Sequence, residues 1–101
     1  MRYLFLSRTL CEEDEPFEVY VELNDQLLER RRVEYYQAGL CFSYGQECGK
    51  EELLSKEPYP EDFKTLEIPD KQEVREITLQ QFAQVWNTIQ ELPDGLQGLF
   101  F

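Results

Sequence analysis

Hydrophobic and polar positions alternate most cleanly in Phe17-Glu18-Val19-Tyr20-Val21-Glu22-Leu23. Phe17, Val19, Val21 and Leu23 point one way, and Glu18, Tyr20 and Glu22 the other, which is the period of a half-buried strand. Residues 2–10 are aromatic and apolar, lack Gly and Pro, and predict an earlier strand. Between them, the acids Glu12-Glu13-Asp14-Glu15 run into Pro16 and predict a solvated loop. Asn24-Asp25-Gln26 supplies a turn, and a third strand is predicted over Leu27–Gln37. Ala38-Gly39 then turns into a fourth strand with Leu40, Phe42 and Tyr44 on one face. Together these predict an antiparallel meander with one dry face and one wet face.

From Gly45 to about Lys71 no period is visible. Gly45–Gly49 reads as a loop and Glu51–Ser55 as one helical turn, while Pro58 and Pro60 force extended backbone around Tyr59. Phe63, Leu66, Ile68 and Val74 are isolated apolar anchors expected to pin an irregular excursion. Thr78 and Gln81 then form a capping box, with Ile77 placed to staple to Phe82. Leu79, Phe82, Val85, Trp86 and Ile89 recur at helical spacing, with Gln80, Gln84, Asn87 and Glu91 opposite. The pattern predicts a helix over 78–91, stopped by Pro93 and Asp94-Gly95. The expected fold is α+β, a four-stranded antiparallel meander with a C-terminal helix packed on its dry face. Residues 1–91 are expected to form a single domain, and 92–101 an apolar tail ending in Leu99-Phe100-Phe101.

Charge narrows the function. Twenty-one acids against ten basic residues give −11 over 101 residues. That field repels nucleic acid and anionic membrane, and favours a basic partner protein. The sequence has no His, which removes every Ser–His and Cys–His nucleophile pair. Cys11, Cys41 and Cys48 are odd in number and have no C-x-x-C spacing. They are expected to be reduced thiols rather than a disulfide framework or a zinc site, with Cys48 an incidental loop cysteine. The longest apolar run near the start, Leu4-Phe5-Leu6, is too short for a signal-peptide core or a membrane span. A cytoplasmic location is expected.

Three features stand out on the surface. Arg30-Arg31-Arg32 is the one basic concentration. Arg30 and Arg32 either form an anion site or pair across the strands with Glu18, Glu22 or Glu34. Arg31 shares a face with Val33 and Tyr35, so it needs a partner, with Glu29 or a carboxylate of the excursion as candidates. The loop Glu12-Glu13-Asp14-Glu15 lacks the spacing and the Gly of an EF-hand, so it is a solvated loop or a docking site for a basic surface. Tyr3, Tyr20, Tyr35, Tyr36 and Tyr44 have acids around them and suit cross-strand packing better than base stacking. The tail has three alternatives: folding back on the sheet, pairing two copies, or entering a partner groove.

The chain resembles a family of small bacterial domains of unknown function, about one hundred residues long. The shared features are Met1-x-Tyr3-Leu4, Asp14-Glu15-Pro16, Tyr20-x-Glu22-Leu23 and Glu29-x-Arg31-x-Val33-Glu34-x-x-x-x-Gly39. Tyr44, Leu54, Pro58 and Pro60 follow, then Glu76-Ile77-Thr78-x-x-x-Phe82-x-x-x-Trp86. The resemblance implies a strand meander with a terminal helix and no established activity. Some small acidic domains of this kind resemble immunity proteins of bacterial toxin systems.

The expected function is therefore a non-catalytic acidic protein-binding module without cofactor or metal, monomeric or weakly dimeric. Its sharper form is an immunity-type inhibitor that covers a basic toxin or nuclease. The alternative is a regulatory or assembly adaptor that binds a folded host protein through the C-terminal tail. Expected partner-binding residues are Glu12, Glu13, Asp14, Glu15, Arg30, Arg32, Leu99, Phe100 and Phe101.

Overall fold

The structure is a computed structural model that describes residues 1–9, 12, 14–37, 39–45 and 51–91. Five strands form one antiparallel sheet: β1 (Arg2–Arg8), β2 (Glu18–Leu23), β3 (Glu29–Tyr35), β4 (Cys41–Gly45) and β5 (Gln72–Ile77). Their order is β4-β3-β2-β1-β5, so the first four make a meander and β5 returns to the free side of β1. The helix α1 (Leu79–Gln90) follows β5 directly. The α+β class and the terminal helix agree with the sequence pattern, but the sheet has five strands and not four. The fifth was hidden because Val74 and Ile77 are its only apolar residues and stand three apart, which leaves no period-2 signal. Pairing with β1 specifies it instead. Arg2 grips Glu76 through Nε and Nη2 at 3.0 and 2.9 Å, and Arg8 Nε donates to Gln72 Oε1 at 2.8 Å.

The predicted division into a dry and a wet face is corrected: both faces of the sheet are covered. The helix lies on the face of Tyr3, Tyr20 and Val33, where Phe82, Trp86 and Ile89 join Val33 and Cys41 in one buried cluster. The face of Val19, Val21 and Leu23 was the expected seat of the helix. It is capped by the excursion, whose Phe63 is buried with Leu4, Val21 and Leu23 while Tyr59 and Leu66 pack around them. Both faces can be dry because the face assigned to water carries aromatic rings. Tyr20 packs tilted against Phe5 with centroids 4.7 Å apart, and Tyr3 likewise against Phe82 at 5.4 Å. Of the other expected anchors Leu66 and Val74 are half-buried, whereas Ile68 is exposed. Short 3₁₀ turns at Glu51–Leu53 and Phe63–Leu66 carry the excursion.

The helix begins as predicted. Thr78 Oγ1 accepts from the Gln81 amide at 3.1 Å, and Gln81 Oε1 accepts from the Thr78 amide at 2.9 Å. At the other end Gln90 Nε2 donates to the buried Ser43 Oγ at 3.1 Å, which fastens the last turn to β4.

The β2–β3 hairpin departs from the strand predicted over Leu27–Gln37. Leu27 and Leu28 belong to the turn, where Asn24 Oδ1 accepts from the amides of Gln26 and Leu28 at 2.9 and 3.0 Å. Leu27 sits at φ +62°, a left-handed conformation unfavourable for a branched side chain. Its side chain packs into the second core cluster, and its carbonyl accepts from the Tyr59 amide at 2.9 Å. The register then shifts between Glu22 and Leu23, which pair with Arg31 and Glu29. Arg30 is thus the extra residue of a β-bulge. Among the described residues no helix is long and apolar enough to cross a membrane.

Candidate functional site

The bulge decides which charges meet. Simple alternation puts Glu29 on the face of Arg31; the extra residue moves it to the face of Arg32. Arg31 therefore does not pair with Glu29 or with the excursion. Its Nε and Nη2 donate to the two oxygens of Glu22 on β2, at 2.8 and 2.7 Å. Its guanidinium carbon also lies 5.0 Å from the Phe82 ring centre and 4.8 Å from that of Trp86. Burial of Glu22 works against its charge, but the bonds from Arg31 and a further one from Tyr3 outweigh it and hold the carboxyl below the ordinary range. A Cβ at Gly45 would lie 3.1 Å from Arg31 Cγ and 3.2 Å from the Arg30 carbonyl oxygen, a tight fit that favours glycine where β4 approaches β3.

On the opposite face the bulge creates a second, larger polar group around Arg32. Its Nη1 donates to Glu29 Oε1 at 2.8 Å and its Nη2 to the Leu53 carbonyl at 3.1 Å. Its buried Nε contacts Glu34 Oε2 at 3.1 Å as an ion pair without an aligned hydrogen bond. The Glu29 side chain is only 2% exposed. It also accepts from the Ser55 amide at 2.7 Å and from the Tyr59 hydroxyl. Glu34 accepts from the Tyr36 hydroxyl at 2.9 Å and from Tyr44. Burial, reinforced by the neighbouring carboxylates, raises all three of these tyrosines, with Tyr36 pushed up to about 12.

This group forms the back of a cleft of about 320 Å³. Asp14, Glu15 and Pro16 of the acidic loop make its front wall, with Glu29, Arg32, Glu34 and Tyr59 behind. Leu6 and Val19 supply an apolar floor. Arg8 at the rim pairs with Glu15 at 3.2 Å. A wider groove of about 610 Å³ lies at the same end of β1, beside the start of β5, where Glu67, Asp70, Lys71 and Glu73 are all exposed.

The sequence-predicted site residues are thus divided. Asp14, Glu15 and Arg32 meet in the cleft, where Arg32 pairs with Glu29 and Glu34 of its own strand and not across strands as expected. Glu12 is exposed beside the loop. Arg30, on the bulge, is exposed and directs Nη1 to the Met1 sulfur at 3.4 Å rather than to the cleft. Glu13, Leu99, Phe100 and Phe101 lie outside the described residues, as do Cys11 and Cys48. Cys41 is buried in the core cluster between helix and sheet. Sequence reasoning missed Glu29 and Tyr59 as site residues. The available signal was an acid flanking a run of three arginines, and a tyrosine fixed between two prolines.

A family described as a domain of unknown function (DUF6881) matches residues 2–91, and the chain belongs to it. No curated protein and no solved structure matches the chain.

Proposed function

We propose that this member of a family without assigned activity is a non-catalytic binding module that docks its acidic surface on a basic protein. The observation that supports it most is how the chain uses its own cations. Arg2, Arg8, Arg31 and Arg32 are each closed in an ion pair with a glutamate of the same chain. The remaining acids outnumber the exposed cations Lys56 and Lys64 on the loop around Asp14 and on the excursion with Glu51, Glu52, Glu57, Glu61 and Asp62, all exposed. Such a field accelerates encounter with a basic partner and rejects acidic ones. An immunity-type inhibitor that covers a basic toxin in a bacterial cytoplasm is the specific form that suits the size, the charge of −11 and the absence of His.

The test is capture from the source cell on immobilised protein, followed by washes of rising salt. Electrostatic docking predicts a basic partner retained at low salt and released at high salt, because screening shortens the reach of exposed charges. Retention of the partner at high salt would refute electrostatic docking.

A further inference from the structure

We propose that the cleft between residues 14–16 and β3 is the anchoring pocket of this surface and receives one arginine side chain of the basic partner. The inference rests on the docking function proposed above and adds the place and the chemistry of its central contact.

The charge balance of the cleft identifies the occupant. Among the described residues four carboxylates line it, Asp14, Glu15, Glu29 and Glu34, against two guanidiniums, Arg8 and Arg32. Both guanidiniums are already engaged with these same carboxylates. The cleft therefore keeps a negative excess after its internal pairing. An incoming cation is attracted, and an anion or a second acid is repelled. The cleft, at about 320 Å³, stands at the small end of ligand sites and suits one side chain rather than a folded segment.

Guanidinium fits better than ammonium for two reasons. The apolar floor of Leu6 and Val19, with Tyr59 beside it, receives a long aliphatic stem and a flat, weakly hydrated head. Exposed carboxylates at the front wall can then accept the planar donor fork, which a compact ammonium cannot supply. The back wall is held rigid. Glu29 is fixed by Arg32, Ser55 and Tyr59, and Glu34 by Tyr36, so little ordering is left to be done on binding. Anchor arginines seated in preformed, partly desolvated pockets are a recurrent source of interface energy.

The probe is a capped hexa-arginine peptide, with hexa-lysine as comparator, titrated into the full chain at low salt and followed by NMR. Hexa-arginine is expected to shift the resonances of Asp14, Glu15 and Tyr59, and to bind about fivefold tighter than hexa-lysine. The double variant Asp14→Asn/Glu15→Gln should weaken hexa-arginine about tenfold, since it removes two charge-assisted acceptors and leaves Arg8 unopposed at the rim. The control Glu51→Gln/Glu52→Gln removes the same charge from the excursion and should cost less than about threefold. All four residues are exposed, so both variants should keep the wild-type melting temperature. Equal weakening by the two variants, or equal binding of the two peptides, overturns the arginine pocket and leaves the docking function standing. Failure of both peptides to bind at low salt overturns both.

Discussion

Glu29→Ala is the substitution that should do most damage for the atoms it removes. The carboxylate is buried and serves three donors at once: Arg32 at 2.8 Å, the Ser55 amide at 2.7 Å, and the Tyr59 hydroxyl. Removing one member of a buried ion pair costs about 3–5 kcal/mol, because the remaining charge loses its compensation. Here Arg32 keeps Glu34, and the excursion can lift to let water reach Ser55 and Tyr59, so the lower end, about 3 kcal/mol, applies. That is a large share of the 5–15 kcal/mol that holds a domain folded. With a urea m-value of about 1–2 kcal/mol/M, the denaturation midpoint should fall by about 2 M. Trp86 fluorescence reports the helix side, and hydrogen exchange of the amides of Ser55 and Tyr59 reports the excursion. The exchange should accelerate more than global destabilisation alone requires, since Glu29 is the hinge pin between excursion and sheet. Glu29→Gln, which keeps an acceptor and loses the charge, should fall between. A midpoint within about 0.5 M of wild type would mean that the carboxylate is not the buried hub described, because a loss that small is the scale of a surface change.

Other outcomes follow from the same geometry. Trp86→Ala should cost about 3–5 kcal/mol, read as a fall in melting temperature, because it empties the core between helix and sheet. Glu22 has a folded pKa held below its unfolded value, so its contribution is present above the unfolded pKa and lost as pH falls through the folded one. Glu22→Gln should flatten stability against pH in that acidic window, measured by urea titration. Tyr36 has a folded pKa raised to about 12, and Tyr59 is raised as well. Their contribution is complete below the unfolded value near 10 and lost as pH rises towards the folded values, so alkaline unfolding should precede much of the tyrosinate absorbance.

The legible parts of the fold were those where local chemistry decides. Thr78, Gln81 and the stripe Phe82-Trp86-Ile89 specify the helix on their own, and the structure starts and buries it accordingly. The alternation in Phe17–Leu23 located β2 and its two faces. It could not say which face receives the helix, because Tyr3, Tyr20 and Val33 make the polar-looking face nearly as apolar as the other. β5 was illegible since what defines it is its backbone ladder with β1, a strand some seventy residues away in sequence, to which Arg2 and Arg8 add side-chain contacts. The bulge at Arg30 has no marker such as glycine, and without it the grouping of Glu29 with Arg32 cannot be foreseen. The acidic loop is thus legible in the sequence as a surface feature, and the cleft behind it is not.

The most direct test is the association rate of the captured basic partner, measured by stopped flow across a range of ionic strength. The wild-type chain should associate fastest at low salt and slow steeply as salt rises. Neutralising Glu12, Asp14 and Glu15 together should lower the low-salt rate by about tenfold, leave the fold intact and flatten the salt dependence. A rate that is the same in wild type and variant, and indifferent to salt, would contradict the acidic docking surface.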